Sequence, residues 1–206
     1  IVVGTIQDVT ERKRADERIA RHGRRLEAIV EILQHDAGDT QTFLDYALDH
    51  SISLTGSTIG YIYLYDEDRR ELVLNSWSKD VMVECSVVDP QTCYELDSTG
   101  IWGEAVRQRR PIVVNDFEAE HPLKKGCPEG HVHLTRFLTV PVFHRDRIVA
   151  VVGVANKETD YDATDTLELT LLMDAVWKSV EAAEGERALH RIEWLLSSRP
   201  EPDPTP

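Results

Sequence analysis

Cysteine, methionine and aromatic residues are scarce in this sequence, and no long apolar run occurs. The three cysteines, Cys85, Cys93 and Cys127, are an odd number without disulfide-framework spacing, which excludes a cystine-stapled scaffold and suits a reducing cytoplasm. The longest apolar run, Ile148–Ala155, is far too short to span a bilayer, and no signal peptide precedes the first helical stretch. Basic residues are outnumbered, 23 Lys and Arg against 37 Asp and Glu, and the net charge of −14 argues against nucleic acid or an anionic membrane as partner. No phosphate-cradling glycine loop, Ser/His/Asp arrangement, or kinase or cyclase motif is present, so no enzyme activity is expected from this stretch. The chain lacks an initiator Met and starts within an apparent strand, which suggests that it is cut from a longer protein.

What remains is a 206-residue chain whose apolar share, 41%, supports a normal packed core. Ile1–Val9 reads as a strand, and Thr10 as the N-cap of a helix running to Gln34. In that helix Ile19, Leu26 and Leu33 recur every seven residues, with Ile29 at a d-like position and His22 and Gly23 interrupting the seam. It suits a dimerising coiled coil or an exposed amphipathic linker. A second helix is expected over Gln41–Leu54, ended by Gly56, with Phe43, Leu44, Ala47, Leu48 and Ile52 on one face. Strands follow at Ser57–Tyr65 and Glu71–Trp77 around a charged turn, and a weaker one at Met82–Val88. Pro90–Ser98 reads as irregular, Gly100–Gln108 as a short helix, Pro111–Val114 as a strand and Asn115–Gly130 as a polar loop. Thr135–Phe143 and Arg147–Ala155 form a hairpin around His144, Arg145 and Asp146. A long helix from Asp165 runs through Glu186 to about Leu196, with Leu169, Met173, Val176, Val180 and Ala183 on one seam, before a Pro-rich tail that reads as disordered. The order implies an α+β domain with an antiparallel sheet, helices packed against it, and long N- and C-terminal helices.

Two segments, TGIWGEAVRQRRPIVVND (Thr99–Asp116) and RFLTVPVFHRDRIVAVVGVANK (Arg136–Lys157), resemble the GAF domain family over roughly Thr40–Glu184. The resemblance implies a GAF-like antiparallel sheet with signalling helices at both ends, and a small-molecule sensor in a signalling protein. The IQDVTERKRADE run resembles the exit of a PAS domain. The organisation expected is then a PAS remnant over 1–10, a linker helix over 11–38, a GAF domain over 39–184, and a helix extension with a tail over 185–206. The output, a histidine kinase or diguanylate cyclase, is expected beyond Pro206, with a homodimer formed through the flanking helices.

Within that frame, Asn156, Lys157, Tyr161 and Asp165 resemble the N-K…F-x-x-x-D-E pattern of cyclic-nucleotide-binding members, in which Lys and Asp pin a loop, although Thr166 stands where that pattern has Glu. Asp165 also reads as a helix-capping residue that merely meets Lys157. GAF-type methionine sulfoxide reductases place a reactive Cys in G-x-C-G-x-A; here Trp102 holds that position, which removes the nucleophile. No cysteine is followed by His, as a phytochrome-type bilin would need.

Several side chains could carry binding. Tyr61, Tyr63, Trp77 and Phe137 are candidate pocket walls, or plain core. His131, His133 and Arg136 could donate to a carboxylate or phosphate, or Arg136 could instead pair with Asp116 or Glu129. Cys127, His131 and His133 could hold a metal or haem, or simply be polar loop residues. Cys85 and Cys93 could form a redox switch or be buried thiols, and Asp116, Glu118, Glu120 and His121 could bind a hard cation or be a solvated loop. The small ligand itself and any cofactor stay unidentified at this level.

Overall fold

The computed structural model describes residues 2–35, 38–78, 93–124 and 132–197. Helix α1 (Val2–Gln34) leads into α2 (Thr40–Thr55), followed by strands β1 (Ile59–Asp66), β2 (Glu71–Trp77) and β3 (Cys93–Glu95). Two 3-10 turns, Leu96–Ser98 and Ile101–Gly103, precede the single turn α3 (Glu104–Arg107) and strand β4 (Ile112–Val114). The hairpin β5 (Phe137–His144) and β6 (Arg147–Ala155) then delivers the chain to α4 (Ala163–Ser197). The strands form one sheet in the order β3-β2-β1-β6-β5-β4, antiparallel throughout.

Period-two alternation sorts the central strands onto two faces. Ile62, Leu138, Val140, Val142, Val152 and Val154 meet Ala28 and Ile32 of α1, Leu44 and Leu48 of α2, and Leu169, Leu172, Met173 and Val176 of α4. Tyr61, Tyr63, Phe137, Val151 and Ala155 belong to the opposite face. The hairpin turns through Arg145 and Asp146, both at positive φ (45° and 64°), the requirement of a type I′ turn. Helix α2 starts on Asp39, whose carboxylate accepts from the backbone N–H of Thr42 at 2.9 Å, and ends on Gly56 at φ 64°, where the left-handed conformation favours glycine.

The three helices have a defined polarity. His35 stacks on Tyr46 and Glu31 lies 3.9 Å from His50, so α1 runs antiparallel to α2. Arg187 reaches Thr40 at 3.3 Å while Ser51 reaches the sulfur of Met173 at 3.7 Å, so α2 runs antiparallel to α4. Helices α1 and α4 therefore point the same way, one entering the domain and the other leaving it.

Four expectations are corrected. The Ile1–Val9 strand is helix from Val2 onward, and Thr10 lies inside α1 rather than capping it; β-branched residues favour strands only where a partner strand exists, and no described strand pairs with this run. Pro90–Ser98 is not wholly irregular, because Cys93–Glu95 pairs with β2 as the edge strand β3. The expected helix over Gly100–Gln108 is a 3-10 turn followed by one α-turn. The last helix begins at Ala163, two residues before Asp165. The seam of Leu169, Met173, Val176 and Val180 is spent on the protein's own core. The expected Met82–Val88 strand and most of the Pro-rich tail lie outside the described residues.

Register fixes one close approach. Tyr61, Gly153 and Thr139 sit opposite one another on β1, β6 and β5. The Tyr61 ring lies over Gly153 and its hydroxyl donates to Thr139 Oγ1 at 3.3 Å; a Cβ at residue 153 would stand 2.3 Å from the ring. Gly153→Ala is expected to cost about 1–3 kcal/mol through overpacking. Chemical denaturation of G153A, Y61A and the double variant checks this: the two effects should be strongly non-additive, and simple addition would place the ring elsewhere.

Candidate functional site

The sheet face turned away from the three long helices carries a continuous aromatic surface. Tyr63 lies 5.0 Å from Trp102 and 6.0 Å from Tyr94, and Trp102 meets Tyr94 edge-on at 5.4 Å and Tyr61 at 6.2 Å. Phe137 stacks near Tyr61 at 6.3 Å and meets Phe117 at 6.0 Å, while Trp77 packs against the same group. Such offset and edge-to-face geometry suits the ring quadrupoles. Burial pushes the Tyr61 and Tyr63 hydroxyls well above the ordinary tyrosine value, so both stay protonated donors. Beside this surface a cavity of about 170 Å³ is lined by Ile101, Glu104, Gln108, Val114 and His121, among others. Burial there raises the Glu104 carboxyl, but hydrogen bonds from Gln108 and Arg107 outweigh it and hold the group below its ordinary value.

Two segments border the aromatic face. In 115–124, Asp116 accepts from the backbone N–H groups of Glu118 and Ala119, and Lys124 sits over the Phe117 ring while donating to the Phe117 and Ala119 carbonyls. Asp116 is thus occupied with turning the chain, and no group of three or more potential metal ligands assembles among the described residues. In 132–136, His133 faces Glu118 at 3.3 Å, and the backbone of Thr135 accepts from the N–H of Phe117 at 2.8 Å, tying the two segments together.

A polar bracket joins both segments to the start of α4. Asn115 donates to the Tyr161 carbonyl at 3.0 Å and accepts from the Tyr161 N–H at 2.8 Å. Asn156, at φ 61°, accepts from the N–H of Thr135 and donates to the His133 carbonyl. Arg136 donates to Asp160 at 3.0 Å and to the Lys157 carbonyl rather than to Asp116, one of the two expected alternatives; the other, Glu129, lies outside the described residues. Lys157 reaches both oxygens of the buried Asp165, at 2.7 and 2.6 Å. Asp162 caps α4 by accepting from the N–H groups of Thr164 and Asp165, and Asp165 returns the favour to the Asp162 N–H at 2.9 Å, a reciprocal capping box. Tyr161 donates or accepts at Ser57 Oγ, 2.6 Å away, and burial pushes its hydroxyl up to about 12.

Of the residues singled out from sequence, Tyr61, Tyr63, Trp77 and Phe137 share the aromatic face, His133 and Arg136 stand at its border, and Asn156, Lys157 and Asp165 form the bracket. Cys85, Cys127 and His131 lie outside the described residues, whereas Cys93 is exposed on β3. The structure adds Trp102, Tyr94, Phe117 and Asn115. The signals available were an indole between two glycines (Gly100 and Gly103) and an Asn at a strand exit.

The GAF domain family matches residues 37–181. This chain belongs to the GAF domain family. The methyl sulfide methyltransferase-associated sensor of Methanosarcina acetivorans is 46% identical over 191 residues, which is 93% of this chain but 19% of that protein's length. The GAF domain of an Acinetobacter phosphoenolpyruvate-protein phosphotransferase superposes with a TM-score of 0.63 at 18% identity, covering 81% of this chain and 95% of that one. The free methionine-R-sulfoxide reductase of Neisseria meningitidis, solved with its substrate, gives 0.62 at 21% identity, over 81% and 91%. These structures share the fold. GAF domains are characteristically regulatory, and this one carries Trp102 where the reductase pattern calls for a thiol.

The bracket makes two predictions. Lys157→Met leaves Asp165 buried without its cation and is expected to cost about 3 kcal/mol, partly restored by adding Asp165→Asn, as read by urea denaturation; an unaffected single variant would contradict the pairing. At Asp162, burial raises the carboxyl but the N–H groups of Asp165 and Thr164 prevail and depress it. Its contribution is therefore complete above the unfolded carboxylate value and lost as pH falls through the depressed one. Asp162→Asn should flatten that acid limb of the stability profile and leave the alkaline side unchanged.

Proposed function

We propose that this GAF domain is a sensory module that binds a small molecule on its aromatic face and passes the occupancy to a downstream effector through α1 and α4. The observation that carries this reading is the polar bracket. Asn115, Asn156 and Arg136 tie the segments bordering the aromatic face to the 156–161 connection, and Lys157 of that connection pairs with Asp165 in the first turn of α4. A ligand that shifts those segments has a hydrogen-bonded route to the outgoing helix. The shift it produces is bounded by its difference in affinity for the two arrangements.

In this reading Tyr61, Tyr63, Trp77, Trp102 and Phe137 supply the apolar wall, and His133 and Arg136 the polar contacts at its rim; His131, the third candidate from sequence, lies outside the described residues. That the Methanosarcina relative is a methyltransferase-associated sensor supports a signalling role. The remainder of such a protein would supply the output, for which a histidine kinase or diguanylate cyclase is the class proposed. Cytoplasmic placement is part of the same proposal. No helix among the described residues is long and apolar enough to cross a membrane. The working unit is a homodimer joined through the flanking helices.

Native mass spectrometry of the purified chain, before and after incubation with a small-molecule extract, tests the proposal. A reproducible added mass is expected, at least tenfold depleted in Trp102→Ala and abolished in Arg136→Ala while both variants keep the wild-type circular dichroism spectrum. Bare chain mass under both conditions would contradict ligand sensing; unchanged binding by Arg136→Ala alone would remove that residue from the rim.

A further inference from the structure

Strand β4 ends the sheet on one side, and its outer edge is open. The N–H of Asn156 donates to the Arg136 carbonyl at 3.0 Å, which turns the N–H and C=O of Phe137 toward β4. Phe137 with Val114, and Thr139 with Ile112, are therefore the hydrogen-bonded pairs of the β4–β5 ladder. The N–H and C=O of Val113, between them, point away from the sheet, and no described strand pairs with that edge. The cavity of about 170 Å³ noted above runs along it. Ile112 and Val114 project to one sheet face and Val113 to the other, so a space touching all three lies beside the backbone. Ile101, next to α3, and Leu123 complete its apolar lining. Val113 and Leu123 are 40% and 37% exposed.

We propose that this groove takes an extended peptide segment of a partner protein, added antiparallel to β4 as a further strand, with a carboxylate at its C-terminal end facing Arg110. Two observations select that occupant. The first is the edge itself: a residue set opposite Val113 exchanges both backbone hydrogen bonds with it, which an extended peptide does and a compact small molecule does not. The second is charge. The cavity's own carboxylate, Glu104, is occupied, since its oxygens accept from Arg107 at 2.5 Å and from Gln108 at 2.8 Å. Arg107 and Arg109 pair with Glu104 and Glu67, whereas Arg110 forms no ion pair among the described residues and donates only to the neighbouring Pro111 carbonyl at 3.3 Å. His121 accepts from the Leu123 N–H at Nδ1, which leaves Nε2–H of the neutral ring as a second donor. The groove thus offers cationic and N–H donors to an anion. Arg110 stands just before β4, so an antiparallel peptide brings its carboxyl end there, while a parallel one would bring its amino end against a like charge. Because β4 leads directly into Asn115 of the bracket, a peptide seated on it adjoins the connection to α4.

This site is separate from small-molecule binding on the aromatic face and stands or falls without it. A random peptide library with free C-termini, selected on the full chain, tests it. The enriched peptides are expected to alternate apolar or β-branched residues and to require their terminal carboxylate. A synthetic copy of the most enriched peptide, titrated into the labelled chain, should shift the amide resonance of Val113 and lose about tenfold or more in affinity to Val113→Pro and to Arg110→Glu. Proline at residue 113 removes the outward N–H and leaves the ladder to β5 intact, as edge positions tolerate. N-methylation of alternate peptide amides is the second arm, because it leaves the chain untouched; it should abolish binding. A library without enrichment would overturn the site. A peptide that binds Val113→Pro, or binds in its N-methylated forms, as well as in the unmodified pair would overturn strand addition, and equal affinity of its C-terminal amide would overturn the carboxylate contact.

Discussion

Strand β6 is the constraint on which this molecule depends. It lies between β1 and β5 and is buried along nearly its whole length, so both of its faces must be satisfied by packing. Val152 and Val154 anchor the three helices on one side; Val151, Gly153 and Ala155 form the floor of the aromatic face on the other. Gly153 is where the two requirements meet, because only a residue without Cβ lets the Tyr61 ring lie flat against the strand. Directly after β6 the chain enters the bracket, where Asn156 takes positive φ and Lys157 turns back to Asp165. The same strand thus supports the candidate binding surface, holds the helix layer and sets the first residue of the connection to α4.

That arrangement explains how a small event on one face could reach a distant effector. The sheet is too well packed to transmit a graded deformation, since close-packed interiors respond by switching between arrangements rather than bending. The polar bracket bypasses the core at its edge. It is built from directional bonds among Asn115, Tyr161, Asn156 and Arg136, which are made or broken as discrete events. The Lys157–Asp165 pair then holds the first turn of α4 in place, at the end of a helix aligned with α1. An incoming and an outgoing helix with common polarity, on the same layer, suit rotation or register shift better than bending.

Much of this was legible in the sequence where the signals are local. The β5–β6 hairpin, the left-handed cap at Gly56, the β2 strand and the long last helix each follow from periodicity and turn chemistry within a few residues. The run Val2–Val9 was misread because its β-branched composition suggests a strand, whereas strand formation needs a neighbour that composition does not reveal. The aromatic face was legible only in part. Tyr61 and Tyr63 alternate on one strand, but Trp102 lies in a 3-10 turn and Tyr94 on the short edge strand β3, and tertiary packing sets where both stand. On α1, Ile29 packs on the core while Ile19, Leu26, Val30 and Leu33 are exposed, because only the fold decides which stripe of a doubly apolar helix faces inward.

The central claim is that the segments bordering the aromatic face are mechanically tied to the first turn of α4. Hydrogen–deuterium exchange of the intact chain, compared between wild type and Asn115→Ala, tests it directly. The account predicts faster exchange at residues 160–168 in the variant, with β1 and the body of α2 unchanged. Exchange at 160–168 that stays at the wild-type rate would contradict it, and would leave the aromatic face and the outgoing helix as independent parts of one domain.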